Sequence, residues 1–115
     1  MAGMTAWRRT VARHGPYVAR AVAEFRSWPA IVVSDTRRGP TFTVRGTEIL
    51  RLAGADEVQV RLTAPAIDRL GPYLRECGQV MACPDRAWVT VQLDGEPDLD
   101  LLFALTSVAI KEHVA

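Results

Sequence analysis

A chain of 115 residues with a net charge of +1, 49% hydrophobic and 23% charged residues, has the length of one domain and the balance of an ordinary globule. Such a chain buries roughly two-thirds of its unfolded surface, so it needs neither a metal nor a disulfide to fold. The near-neutral charge argues against nucleic acid, which demands a contiguous basic stripe. No apolar run approaches the ~20 residues of a membrane span.

In chain order, the amino terminus MAGMTAWRRT lacks the apolar core of a secretion signal, and the expectation is a cytoplasmic protein. Residues 1–20 hold Arg8, Arg9, Arg13 and Arg20 with no acid, a formal +4. They read as a solvated, Arg-rich first helix, with an anionic partner as the competing reading. Gly15-Pro16 breaks any helix running from Ala6, which leaves 1–15 as a flexible or separate N-terminal helix. Pro16 then occupies the first turn of a second piece whose Val18, Ala21, Val22 and Phe25 face the core. Trp28-Pro29 ends it, because the residue before a proline is pushed out of the α region.

Ile31-Val32-Val33 opens a strand, followed by the basic turn Arg37-Arg38-Gly39-Pro40. From Gly39 to Leu62, GPTFTVRGTEILRLAGADEVQVRL, apolar and polar residues alternate across two glycine-centred turns. That is the pattern of three antiparallel strands with one face buried and one wet. Phe42 and Val44 share a face, against Thr41 and Thr43. Arg45-Gly46 has the length and the glycine of a tight hairpin turn. Strict alternation then puts Glu48, Leu50 and Leu52 on one side, and Ile49 and Arg51 on the other. After Ala53-Gly54-Ala55, Val58, Val60 and Leu62 alternate with Gln59 and Arg61.

Thr63 is a good N-cap, with Pro65 in the first turn of the next helix. Gly71-Pro72 predicts that this helix splits into 64–70 and 72–77, with Ile67, Leu70 and Leu74 as its core face. Gln79 to Cys83 reads as a short strand and Trp88 to Leu93 as a clear one, Val89, Val91 and Leu93 alternating with Trp88, Thr90 and Gln92. Asp94, Glu96, Asp98 and Asp100, a formal −4, surround Pro97 at a helix start, where carboxylates favour the positive end of the dipole. The last helix, Pro97 to about His113, carries one apolar stripe of Leu99, Leu102, Phe103, Thr106, Ala109 and Ile110. Leu101, Leu105 and Val108 form a second line, which calls for cover by the N-terminal helix or by a second copy of the chain. The expectation is a single α+β domain over 1–115, a two-layer sandwich of five or six antiparallel strands with helices on one face.

Reactive chemistry is sparse. Cys77 and Cys83 are six apart, fit neither a CxxC pair nor a zinc knuckle, and read as reduced thiols. His14 and His113 have no carboxylate or cysteine at ligand spacing, so no metal is expected. Glycines stand singly at turns, which gives no phosphate loop and no cofactor. Ser27, Ser34 and Ser107 lack a nucleophile context. What remains is the wet sheet face: Thr41, Thr43, Ile49, Arg51, Gln59, Arg61, Trp88, Thr90 and Gln92. An exposed Trp88 beside Arg51 and Arg61, with Thr43 and Thr90 as polar neighbours, could stack on and hydrogen-bond a planar or anionic ligand. The competing reading has Trp88 covering a sheet edge and the arginines paired with Glu48 or Glu57. Glu48, on the buried face by parity and near Arg45, is the carboxylate nominated as acid or base. Thirteen of the fourteen basic residues are Arg, the codon signature of a GC-rich, actinobacterium-like genome.

Ser27-Trp28-Pro29, then Gly39-Pro40-Thr41-Phe42-Thr43-Val44-Arg45-Gly46-Thr47-Glu48-Ile49, Pro84-Asp85-Arg86-Ala87-Trp88-Val89 and the helix around Ser107 resemble the small bacterial and fungal luciferase-like domain of unknown function. The likeness covers about residues 25–112. A fainter similarity runs to two-layer domains of the MmcQ/YjbR type, through the same order of sheet, helix, Trp strand and helix. The family pattern has histidines after the Glu-Ile of the second hairpin strand and before the Pro-Asp, where this chain has Arg51, Ala53, Val80 and Met81. The resemblance therefore implies a fold and carries over no catalytic residue, flavin or light chemistry.

Three functions compete on this reading. One is a binding module for a small, partly aromatic or anionic molecule. The second is a cofactor-independent cyclase or isomerase of specialised metabolism, which needs shape and a few polar groups more than a nucleophile. The third is a homodimeric interaction protein joined through Leu101, Leu105 and Val108.

Overall fold

A computed structural model describes residues 14–114. The helical piece expected from Ala6, with Arg8, Arg9 and Arg13, lies outside the described residues. The elements run α1 (Pro16–Phe25), β1 (Val32–Thr36), β2 (Gly39–Val44), β3 (Thr47–Leu52), β4 (Glu57–Arg61), α2 (Ala64–Glu76), β5 (Val80–Ala82), β6 (Trp88–Gln92) and α3 (Glu96–Val114). The strands form one open sheet in the order β1-β2-β3-β4-β6-β5, every neighbouring pair antiparallel. This is the expected α+β sandwich.

All three helices bury their apolar faces on the same side of that sheet. Val18, Ala21 and Phe25 of α1, Ala66 and Leu74 of α2, and Leu99, Leu102, Leu105 and Ala109 of α3 share one core with Phe42, Val44, Leu50, Val58, Val60, Val89 and Val91. Aromatic edges lock α1 to the rest: the Phe25 ring meets Phe42 at 5.9 Å and Phe103 at 5.5 Å, both T-shaped. Leu105 is 2% exposed inside this chain's own core, and Leu101 and Val108 are half-buried against it.

The start of α1 is pinned to the sheet. The Gly15 N–H donates to the Ala55 carbonyl at 2.6 Å. A Cβ at Gly15 would collide with the Asp56 carboxylate and stand 3.1 Å from the Ala55 oxygen. A larger residue would have to push the Asp56 carboxylate aside and crowd the Ala55 carbonyl, so glycine suits a helix start this close to the β3–β4 turn.

Two expectations fail, each for a local reason. The first concerns β3. Arg45 and Gly46 adopt φ of +50° and +83°, the left-handed pair of a type I′ hairpin, and set Val44 opposite Thr47 and Thr43 opposite Glu48. Phe42, however, pairs with Leu50. Ile49 is an extra residue, a β-bulge. Ile49 and Leu50 both turn inward, 0% and 1% exposed in the core. Alternation restarts one residue late, so Glu48 lies on the outer face with Arg51 and not on the buried face, and Ile49 leaves the outer set.

The second concerns α2, which is continuous through Gly71-Pro72. A proline disfavours the α conformation before it by crowding the preceding Cβ. Gly71 has none, so that part of the clash is absent, and the helix runs on without a Pro72 N–H to donate. The Thr63 cap holds as expected, its hydroxyl accepting from the Ala66 N–H at 3.4 Å.

Candidate functional site

Strand register builds the outer face. Arg51 lies opposite Gln59, Gln59 opposite Thr90, and Arg61 opposite Trp88. Across this ladder the Arg51 guanidinium carbon sits 4.1 Å from the centre of the Trp88 ring, a close cation–π stack. The Arg51 Nε donates to Glu48 Oε1 at 2.7 Å. Trp88, Arg51 and Glu48 thus form one row over β6 and β3. The bulge makes this row, because it turns positions 48 and 51 to the same side of the sheet.

Trp88 is on the expected face, and its expected exposure is corrected. The residue is 3% exposed, stands apart from the helix-side core, and has the guanidinium on its ring. The solvent-facing member of the row is Arg51, with half of its side chain exposed. Its Nη groups have no partner among the described residues.

Glu48 and Arg51 border a cleft of about 410 Å³, together with His14, Thr36, Arg38 and Thr41. The β1–β2 turn delivers Arg38. The Thr36 hydroxyl donates to the Gly39 carbonyl at 2.7 Å and accepts from the Arg38 N–H at 3.2 Å. The pinned start of α1 delivers His14, whose Nδ1 is buried with no hydrogen-bond partner among the described residues. Two arginines lining one cleft suit a carboxylate or phosphate, for which arginine offers paired N–H donors. A carboxylate and an imidazole on the same cleft are groups able to move a proton.

Of the residues read from sequence, the structure gathers Glu48, Arg51 and Trp88. Arg61 lies half-buried opposite Trp88, its Nε buried without a partner among the described residues. Thr43 sits opposite Glu48 but does not border the cleft. Thr90 is 8% exposed, its Oγ1 3.1 Å from the Cys83 sulfur, on the far side of the row. Sequence reasoning missed His14, Thr36 and Arg38. Only Arg38 carried a signal, as part of a basic turn between two strands. Its neighbour Thr41 had already been assigned to the outer face.

Among the described residues, no three His, Cys, Asp or Glu side chains gather as metal ligands, Cys77 and Cys83 are free thiols, and no helix is long and apolar enough to cross a membrane. No curated protein and no solved structure matches the chain. Residues 46–109 match the Luciferase domain, a span that takes in β3, Glu48, Arg51 and Trp88 and leaves out Thr36, Arg38 and His14. The match supports the luciferase-like resemblance and not the fainter MmcQ/YjbR one. Covering more than half of the sequence, it places this chain in the luciferase domain family.

Proposed function

We propose that this chain is a small-molecule binding domain whose ligand is an anion held in the outer-face cleft by Arg38 and Arg51. The observation that carries the reading is the stacked and tethered state of Arg51. Trp88 holds the guanidinium flat and Glu48 fixes its Nε end, which leaves the Nη donors aimed by support rather than free to wander. A preorganised guanidinium loses little entropy when it meets a planar carboxylate. Trp88 acts here as the platform for the arginine, and Thr41 as a polar wall of the cleft.

The test is a calorimetric titration of the protein with benzoate, citrate and inorganic phosphate. At least one should bind, and Arg51→Ala and Arg38→Ala should each weaken it by about tenfold or more, since a charge-assisted hydrogen bond contributes about 1.5–3 kcal/mol. Affinity unchanged in both variants would remove the cleft from consideration. Trp88→Leu should also weaken binding, by loosening Arg51 without touching the ligand.

A second reading is favoured by one observation, the presence of both His14 and Glu48 on the cleft. It is a cofactor-independent isomerase in which the Glu48 carboxylate takes a proton from the bound anion. Glu48→Gln separates the two: on the first reading it weakens binding by loosening the Arg51 Nε end and there is no turnover to lose, whereas on the second it abolishes turnover.

A further inference from the structure

We infer that the groove between α2 and the edge strand β5 is a self-complementary surface through which two copies of this chain pair about a twofold axis, β5 against β5 and α2 against α2.

The sheet edge is the first half of the case. In an antiparallel pair, successive residues turn their backbone groups alternately toward and away from the partner strand. The Gln92 N–H bonds to the Gln79 carbonyl at 2.8 Å, and Met81 pairs with Thr90. Gln79 and Met81 therefore face β6, while Val80 and Ala82 face away. The Val80 N–H is taken by the Cys77 carbonyl at 3.0 Å. That leaves the Val80 carbonyl and the N–H and carbonyl of Ala82 on the open edge. The edge is three residues long, but no side chain guards it: Gln79-Val80-Met81-Ala82-Cys83 contains no charge and no proline, and Met81 is 44% exposed.

The helix beside it supplies the second half. Two adjoining hollows of about 300 and 350 Å³ share Ile67, Asp68, Ala82 and Val89, and so form one groove between α2 and the sheet. Asp68 and Arg75, both exposed, lie on its wall two helical turns apart, about 10 Å. Neither makes a hydrogen bond or ion pair among the described residues, whereas Arg69, next to Asp68, is paired with Glu112. Gly71 stands midway between them on the helix and borders the same hollow as Val80 and Ala82, the two neighbours of Met81.

A twofold axis at Met81 maps β5 antiparallel onto its copy and lets the Ala82 N–H of each chain reach the Val80 carbonyl of the other. The same axis sets the Asp68 position of each chain against the Arg75 position of the other; the Arg75 guanidinium, which lies against Gly71 in the single chain, swings outward to meet the partner's carboxylate. One acid and one base at equal distances from the centre reciprocate with themselves, as a contact between identical surfaces requires. A uniformly basic or acidic partner would satisfy only one of them.

Sedimentation velocity of the full chain tests this. The expected result is a dimer that Asp68→Arg and Arg75→Asp each weaken by about tenfold or more, because facing like charges repel at both symmetric contacts. The double variant should recover it. Ala82→Pro, which deletes the edge donor at a position where an edge strand tolerates proline, should also give monomer. Circular dichroism confirms that each variant is folded. A monomeric wild type overturns the inference. A dimer unmoved by both single reversals also overturns it, and points instead to the Leu101, Leu105 and Val108 line. A double reversal that stays monomeric, or a folded Ala82→Pro that stays dimeric, is equally fatal.

Discussion

On the inner face of the sheet Phe42, Val44, Leu50, Val58, Val60 and Val91 are each no more than 1% exposed. On the outer face the same strands carry Thr43, Glu48, Arg51, Gln59 and Arg61, all partly wet, around one buried indole. The two faces are held by different physics. Inside, the force is the removal of apolar area from water, which has no preferred direction and is sensitive to volume. Outside, a flat guanidinium, a ring and a carboxylate must meet at set angles, so the face is sensitive to orientation. Stability should reside mainly in the first and recognition in the second.

The sharpest way to break this comparison is Phe42→Ala, which should cost about 3–5 kcal/mol in a urea or guanidinium titration. Arg51→Ala, on the outer face, should change the same midpoint by less than about 1 kcal/mol. Comparable losses would mean that the outer row is structural. Next in size is Gly46→Ala. The turn holds φ at +83° there, so a side chain should cost about 1 kcal/mol, read as a lower denaturation midpoint with an unchanged slope. A double-mutant cycle between Arg51→Ala and Trp88→Leu should then show a coupling of about 0.5–1 kcal/mol, the worth of an arginine on an aromatic face. Zero coupling would leave the stack an accident of packing.

The smallest effect is an acid-side one. Hydrogen bonds from Arg20 and Arg26 hold the Glu96 and Asp35 carboxyls below their ordinary values. A carboxyl lowered by folding contributes stability that is full above its unfolded value and is lost as the pH falls through its folded one. The wild type should therefore lose melting temperature more steeply into acid than an Arg20→Ala, Arg26→Ala double variant. Because both pairs are exposed, high salt should reduce that difference.

Much of the fold was legible because the inner face obeys a period of two without regard to chemistry. Val58, Val60, Val89 and Val91 could be assigned from spacing alone, and with them the direction of Trp88. Side-chain exposure was not legible in the same way. Spacing says which way the indole points, but not that a guanidinium from two strands away lies on it. The cleft was hardest to read, since Arg38 and His14 reach it from a turn and a helix start, and no local pattern links those positions to β3. Gly71-Pro72 misled for a different reason. The pair carries the usual mark of a break, and the glycine that strengthens the mark also eases the clash that would have helped to cause it.

The bulge at Ile49 has a consequence for reading the relatives of this chain. A glutamate and an arginine three residues apart in a flat ribbon would look in opposite directions, and the charge of one would be driven into oil. Here the two meet because the polypeptide spends one additional peptide unit between them. A homologue that is one residue shorter in this stretch can keep the pair, whereas one of equal length that irons out the kink must lose it. Length at this single place is therefore a chemical character, and alignments that slide a gap across it would erase the information.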